Sequence, residues 1–215
     1  MKQSQIILVG GGGHCKSCID VIELENKYKI AGIIDLPALL GQKILGYEII
    51  ANDDDIANLA KKGHNFLITL GYMGGSSRRN ELYKLIKRNG GELPSIISPF
   101  AHVSTHAKIG EGTIIMHNCI LNTDAIIGNN CIINTKALIE HDTIVGNNCH
   151  ISTDVNLNGN CKVDNNIFIG SAATIKNGVT ICSNTVIGAG SLILKSILNE
   201  GQYYGNPVKM SSDEG

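Results

Sequence analysis

The chain has 215 residues and a mass of 22.9 kDa, enough for one or two domains with a sizeable buried core. Its 18 basic and 19 acidic residues give a net charge of −1 without long runs of either sign, which argues against nucleic acid as the main partner. No apolar stretch approaches the length of a membrane span or a secretion signal, so we expect a cytoplasmic protein with reduced cysteines.

The first elements of the chain follow a βαβ pattern. Aliphatic runs at 6–9, 30–34 and 66–70 predict strands, and apolar stripes predict one helix after the glycines at 10–13 and another near 78–87. Strands that alternate with helices form a parallel sheet. Residues 1–94 are therefore predicted to be a small Rossmann-like α/β domain.

The glycine loop at 10–13 lies where such domains bind phosphate. From Gly10 and Gly12, the third glycine of the dinucleotide fingerprint would fall at Cys15, so an NAD-binding site is disfavoured. A glycine loop that enters a helix still attracts anions through its bare N–H groups and the helix dipole. Asp35, after the second strand, is placed to bind a ribose or base, although a plain turn and a solvated Asp remain the alternative reading.

A repeat of six residues occupies the second half of the chain. From Ile97 to Ile193, every sixth residue is Ile, Val or Leu at seventeen consecutive positions. Steps of six keep a side chain on one face of a strand but scatter it around a helix. Three hexads close a triangular coil of 18 residues, so the pattern predicts a β-solenoid, with small residues also pointing inward and corners at the Gly, Asn, Asp or Ser after each aliphatic.

The hexads resemble those of the hexapeptide-repeat transferases. Together with Gly10-Gly11-Gly12-Gly13-His14, Lys16 and Ile33-Ile34-Asp35, they make the chain similar to bacterial sugar acyltransferases of the sialic acid O-acetyltransferase type. That group includes N-acetyltransferases of nucleotide-linked 4-amino-4,6-dideoxy sugars. The resemblance implies a left-handed parallel β-helix in residues 95–215, acetyl-CoA as cosubstrate, and a homotrimer with active sites between subunits.

The resemblance also implies roles for individual residues. The nucleotide part of the sugar would be bound by Gly12, Gly13, His14, Asp35 and Gly71, whereas Leu36 replaces a common second acidic residue and leaves the base undefined. The catalytic set would be His141 as general base, Asp142 as its partner and Gly159 as oxyanion donor. Asn134 would orient the acceptor, and the coenzyme would be contacted by His150, Ser171 and Ala189. Counted along the coils, His141 and His150 lie half a coil apart and would meet across a subunit boundary.

Several alternatives compete with this interpretation. A zinc site built from His102, His106, His117 and His141 is disfavoured because the nearest pair lies two coils apart. Cys15 and Cys18 fit packing better than redox chemistry, and Cys131 and Cys149, one coil apart, fit small inward residues better than a disulfide. We expect an N-acetyltransferase. An O-acetyltransferase of a free sugar is the nearest rival, ahead of a non-catalytic sugar-nucleotide sensor and a nucleotidyltransferase.

Overall fold

The structure is a computed structural model that describes residues 3–73 and 78–210. Residues 211–215, which the predicted second domain includes, lie outside the described residues. Among the residues described, no helix is long and apolar enough to cross a membrane.

The first part of the chain is a five-stranded sheet with helices on both faces. Its strands have the order β3-β4-β2-β1-β5, and every neighbouring pair is parallel except β3 and β4. The elements are β1 (Ser4–Val9), α1 (Gly13–Glu25), β2 (Tyr28–Ile34), β3 (Lys43–Ile44), β4 (Tyr47–Ala51), α2 (Ile56–Lys61), β5 (Asn65–Ile68) and α3 (Arg78–Arg88), with short 3₁₀ helices at Pro37–Leu39 and Asp53–Asp55. The three predicted strands and two predicted helices are confirmed.

The sequence did not predict β3, β4 or α2. These elements are short, and β4, next to the edge strand β3, alternates buried with exposed residues, so none carries a long continuous apolar run. Helix α1 packs on one face of the sheet and α2 and α3 on the other. The core on the α1 side continues without a break into the second half of the chain.

The hexads form a triangular prism of short parallel strands. These are β6 (Ile96–Ile97), β7 (His102–Val103), β8 (Lys108–Ile109), β9 (Ile114–Ile115), β10 (Ile120–Leu121), β11 (Ile126–Ile127), β12 (Ile132–Ile133), β13 (Leu138–Ile139), β14 (Ile144–Val145), β15 (His150–Ile151), β16 (Asn156–Leu157), β17 (Lys162–Val163), β18 (Phe168–Ile169), β19 (Thr174–Ile175), β20 (Thr180–Ile181), β21 (Thr185–Ile187) and β22 (Leu192–Ile193). A terminal hairpin, β23 (Gly201–Gly205) and β24 (Val208–Met210), pairs with β21. The predicted solenoid is confirmed.

The strands make three faces and three edges. Face A holds β6, β9, β12, β15, β18 and β21, face B holds β7, β10, β13, β16, β19 and β22, and face C holds β8, β11, β14, β17 and β20. Each edge is named here after the faces it joins: residues 134–137 turn at the AB edge, 140–143 at the BC edge and 146–149 at the CA edge. Residues 18 apart are therefore stacked on neighbouring coils, ~4.8 Å apart.

The first sheet and its helices cover face A. Tyr72 donates its hydroxyl to the carbonyl of Asn166 at 3.1 Å, on the CA edge. Asp20 of α1 lies 2.8 Å from Nε2 of His117, on the AB edge. The covering domain thus spans face A from one edge to the other and leaves the BC edge on the far side.

The position of the left-handed residue in the prism turns differs from the prediction. The left-handed backbone falls on the third residue after each aliphatic, from Gly112 to Gly190, mostly on Asn, Asp or Gly. At some turns the residue directly after the aliphatic is glycine, but the reason is close packing between coils and not a left-handed backbone. A methyl group on Gly128 would lie 2.7 Å from the carbonyl carbon and oxygen of Gly146, so the stacked coils approach too closely there for a side chain.

Small polar residues inside the prism donate hydrogen bonds to backbone carbonyl oxygens of the turns. The side chains of Cys119, Cys131, Thr143, Cys149 and Cys161 each donate to the carbonyl oxygen of the residue 15 positions later, at 2.9 to 3.2 Å. All seven cysteines are free. The inward cysteines therefore act as buried hydrogen-bond donors, which agrees with reading them as small inward residues.

Thr143→Val should destabilise the prism. The substitution keeps the shape of the side chain but removes the bond to the carbonyl of Asn158 at 3.0 Å and the acceptor for the N–H of Cys161 at 3.2 Å. Leaving such buried groups without partners costs about 1–3 kcal/mol. The free energy of unfolding, measured by urea denaturation, should fall by that amount. Thr174→Val, on the outer side of face B, is the matched control, and an equal effect of the two substitutions would contradict the assignment.

Candidate active site

The predicted nucleotide-binding residues meet at the carboxyl ends of β1, β2 and β5. Helix α1 starts after Gly12 with no side-chain cap and no acidic residue in its first turn. Nothing lies within 4 Å of where side chains of Gly12 and Gly13 would begin, and both residues are exposed, so the turn is accessible to a ligand. A methyl group on Gly71 would lie 4.0 Å from Cβ of His14. This end of the sheet is where open α/β sheets bind ligands.

Asp35 is fixed to the glycine loop. Its Oδ2 accepts the N–H of Gly11 at 2.5 Å, and its Oδ1 accepts the N–H of Leu36 at 2.7 Å. A cleft of about 260 Å³ opens beside it, lined also by the ion pair of Asp53 and Arg78. The cleft offers acidic and basic groups at its rim.

His150 is buried between the sheet and face A, and His14 is half-buried near it. Burial lowers the pKa of His14 to about 4, and the charge of Arg79 adds to this shift. Burial likewise lowers the pKa of His150 to about 4. Both imidazoles are therefore neutral near pH 7. The Arg79 guanidinium, only 3% exposed, donates to the carbonyls of Ile68 and Leu70 at 2.6 and 3.0 Å.

His150 uses both of its ring nitrogens within the chain. Its Nδ1 donates to the carbonyl of Tyr72 at 2.5 Å, and its Nε2 accepts from Nδ2 of Asn134 at 3.2 Å. On the AB edge, Ser171 and Ala189 are exposed, and Ser171 is bonded to Ser152 at 3.0 Å. Asn134, His150, Ser171 and Ala189 thus lie together at face A and its AB edge.

His141 and Asp142 project from the BC edge. Nδ1 of His141 donates to Oδ2 of Asp142 at 2.7 Å, which leaves Nε2 free to accept a proton. This hydrogen bond raises the pKa of His141 above its usual value, and the charges of Asp142 and Glu140 add to the shift. Oε2 of Glu140 accepts from the backbone N–H of His141 at 3.3 Å and from Asn122 at 2.9 Å. The imidazole is exposed to solvent and is held by Asp142, while Glu140 binds the backbone of the same residue.

Gly159 lies one coil beyond His141 on the same edge. A methyl group on Gly159 would lie 2.7 Å from both Cε1 and Nε2 of His141, so the ring occupies the space that a side chain would need. The backbone is anchored on each side, since Asn160 donates to the carbonyl of His141 and Gly178 to that of Gly159. Among the residues described, the Gly159 N–H has no hydrogen-bond partner.

The predicted site residues fall into two groups on opposite sides of the prism. The nucleotide-binding residues and those around His150 lie with the domain that covers face A. His141, Asp142 and Gly159 lie on the BC edge, the one edge that does not border face A. One chain therefore does not bring the two groups together.

The structure does not assemble the histidines of the zinc alternative. His117 is bonded through Nδ1 to Oγ of Ser98 at 2.6 Å and through Nε2 to Asp20. Within residues 3–73 and 78–210, no three His, Cys, Asp or Glu side chains are grouped to hold a metal ion.

Comparison with known proteins identifies both halves of the chain. Residues 5–86 match the PglD N-terminal domain family, and residues 106–141 match the bacterial transferase hexapeptide family. A solved mutant of perosamine N-acetyltransferase from Caulobacter crescentus, in complex with CoA and GDP-perosamine, has a TM-score of 0.91 and 28% identity over 98% of each chain. The chain belongs to the hexapeptide-repeat sugar acyltransferases.

A second neighbour supports the same family. The acetyltransferase domain of PglB from Neisseria gonorrhoeae has a TM-score of 0.91 and 25% identity, over 97% of this chain and 100% of that one. Among curated proteins no match is found. This sugar acyltransferase is an acyl-CoA-dependent acetyltransferase, and its prism is a left-handed β-helix, as the resemblance implied.

Sequence reasoning missed three residues of the acyltransferase site region. Arg79 and Tyr72 join the sheet to the prism, and no local pattern marks them. Asn177 is different, because it follows His141 and Gly159 at the same interval of 18 residues, and its Nδ2 lies 3.3 Å from where a methyl group on Gly159 would be. Comparing residues at intervals of 18 along the BC edge would have identified Asn177 from the sequence.

Gly159→Ala should impair acetyl transfer without unfolding the protein. The added methyl group would displace the His141 ring, which is exposed and contributes little to the core. We expect kcat to fall about 10- to 100-fold, the range for a misplaced catalytic group, with an unchanged thermal midpoint. A variant with wild-type kcat would show that the ring position over Gly159 is irrelevant to catalysis.

Proposed function

We propose that this acyltransferase transfers the acetyl group of acetyl-CoA to the 4-amino group of a nucleotide-linked 4-amino-4,6-dideoxy sugar. The observation that carries the proposal is the His141–Asp142 pair, which presents a free Nε2 beside an unpartnered backbone N–H. The separate glycine-loop crevice supports a nucleotide sugar as the acceptor. Neighbours solved with CoA and GDP-perosamine support this choice of substrates.

In the proposed reaction, each catalytic group has one task. The amino nitrogen attacks the thioester carbonyl carbon while Nε2 of His141 accepts the proton of the amine. The N–H of Gly159 stabilises the oxyanion that forms. When the C–S bond breaks, His141 returns the proton to the CoA thiolate. Asp142 keeps the proton of Nδ1 in place, so the acceptor nitrogen is always Nε2.

We propose residues 1–94 as the nucleotide-sugar domain and 95–215 as the β-helix acetyltransferase domain with its tail. In the first domain, the diphosphate would bind the N–H groups of Gly12 and Gly13 beside His14 and Gly71. Asp35 would bind the ribose or base in the adjoining cleft. In the second, Asn134 would orient the acceptor, while Ser171 and Ala189 would line the coenzyme. His150, with both nitrogens bonded, would contact the coenzyme through its ring.

The site is proposed to form between subunits of a homotrimer. In one chain, the crevice and His141 lie on opposite sides of the prism, so a single sugar nucleotide does not connect them. A second copy can present its covered face and crevice to the exposed BC edge of the first. Each of the three clefts would then hold one complete site.

A substrate panel tests the reaction and the base together. Thiol release from acetyl-CoA should be measured with UDP-, GDP- and dTDP-linked 4-amino-4,6-dideoxy sugars and with free sialic acid. We expect one sugar nucleotide to react and His141→Ala to lose at least about 100-fold in kcat, as removal of a general base does. His106→Ala, an exposed histidine on another turn, is the control. Reaction with sialic acid alone would favour the O-acetyltransferase.

Mixed oligomers test the site between subunits. Asp35→Ala damages only the crevice and His141→Ala only the BC edge, so each homo-oligomer should be nearly inactive. When the two variants are co-expressed and purified through different tags on each, some clefts combine the two intact halves. We expect activity to return to a fraction of the wild-type rate. No recovery in a verified mixed oligomer would argue for a site within one chain.

A further inference from the structure

The BC edge carries a third side chain next to His141 and Gly159. Thr123, His141, Gly159, Asn177 and Lys195 occupy the same place on successive coils. A methyl group on Gly159 would lie 2.7 Å from Nε2 of His141 and 3.3 Å from Nδ2 of Asn177. Both nitrogens therefore border the same small space, within about two hydrogen-bond lengths of each other. The His141 ring fills much of that space and covers the buried Gly159, whereas the His141 and Asn177 side chains are themselves exposed.

The CA edge shows what an asparagine does at this place when it only joins coils. There, Asn129, Asn147 and Asn165 accept through Oδ1 the backbone N–H of the residue 18 positions earlier, at 2.8 to 3.0 Å. Asn177 stands in the same relation to Gly159 but does not make this bond. Within the part of the chain that the structure describes, neither the Asn177 amide nor the Gly159 N–H has a partner.

We propose that the side-chain amide of Asn177 is a second hydrogen-bond donor to the acyl oxygen during transfer. The inference rests on the proposed acetyl transfer and adds a catalytic residue to it. As the N–C bond forms, the carbonyl electron pair moves to oxygen, and the Gly159 N–H and the Asn177 Nδ2 both donate to that charge. When the C–S bond breaks, the pair returns to the carbonyl. Donors aimed at the developing charge stabilise the transition state more than the thioester.

The amide suits this role because it carries no charge. His141 and two carboxylates already determine the electrostatics of this turn, and a neutral donor adds stabilisation without shifting the pKa of the base. The effect of Asn177 should therefore appear in kcat and not in the pH at which the rate rises. A residue that only holds the coenzyme or the sugar would instead change a KM.

The Asn177→Asp variant distinguishes two possible roles of the side chain. One is donating a hydrogen bond to the acyl oxygen, and the other is accepting one from the neighbouring coil. An aspartate can accept the Gly159 N–H as the CA-edge asparagines accept theirs, but it cannot donate to an oxyanion. We expect kcat to fall about 100-fold, and about 10-fold for Asn177→Ala, with both KM values within about threefold of wild type. The acid limb of the pH profile should stay in place for Asn177→Ala. Asn147→Asp is the matched control and should keep the wild-type kcat.

Three results would overturn the assignment. These are a wild-type kcat in both Asn177 variants, a rise in one KM with kcat unchanged, or equal losses in Asn177→Asp and Asn147→Asp. The measurement uses whichever acceptor the wild type acetylates, so failure of the proposed sugar nucleotides is seen first and separately, in the wild-type protein. A wild type that transfers acetyl to no acceptor would refute both proposals, and thermal melts identify a variant that has unfolded.

Discussion

Hydrogen bonding between successive coils is the constraint on which the rest of the structure depends. Each short strand pairs in parallel with the strand 18 residues later, and every edge becomes a row of stacked residues. From Gly112 to Gly190 each turn contains a left-handed residue, and some turns keep it at the cost of strain. Lys136 and Ala172 adopt positive φ although neither type favours it. The register between coils thus outweighs local preference, and it brings His141 over Gly159.

The protein places its histidines in two contrasting environments. His141 is exposed, and its bond to Asp142 raises its pKa, so its protonated form is stabilised. His150 is buried and His14 half-buried near the Arg79 cation, which disfavours a further positive charge. They remain neutral and can serve as fixed hydrogen-bonding groups. Burial and the neighbouring charge, not the residue type, therefore decide which imidazole can act as a base.

The covering of face A determines where the glycine-loop crevice and His141 lie relative to each other. The core of the sheet on the α1 side and the core of the prism form one apolar cluster, so the first domain is fixed against that face. Arg79 and Tyr72 tie the end of β5 and the chain after it to the prism. This arrangement puts the crevice on one side and the base on the other. The exposed BC edge is therefore available to another copy, as the proposed site between subunits requires.

The sequence by itself determined the prism, because a six-residue period in aliphatic side chains fits only strands that turn at regular intervals. It also determined the βαβ start and the glycine turn before α1, which are local patterns. It did not determine β3, β4 or the position of the left-handed residue in each turn, since short strands and contacts between stacked backbones leave little periodic signal. Only the tertiary structure decided that Asn134 meets His150, that Arg79 is buried against backbone carbonyls, and that Asn177 lies beside Gly159. Those contacts join residues from distant coils or from both halves, and burial, charge and stacking are set by the packing of the whole chain.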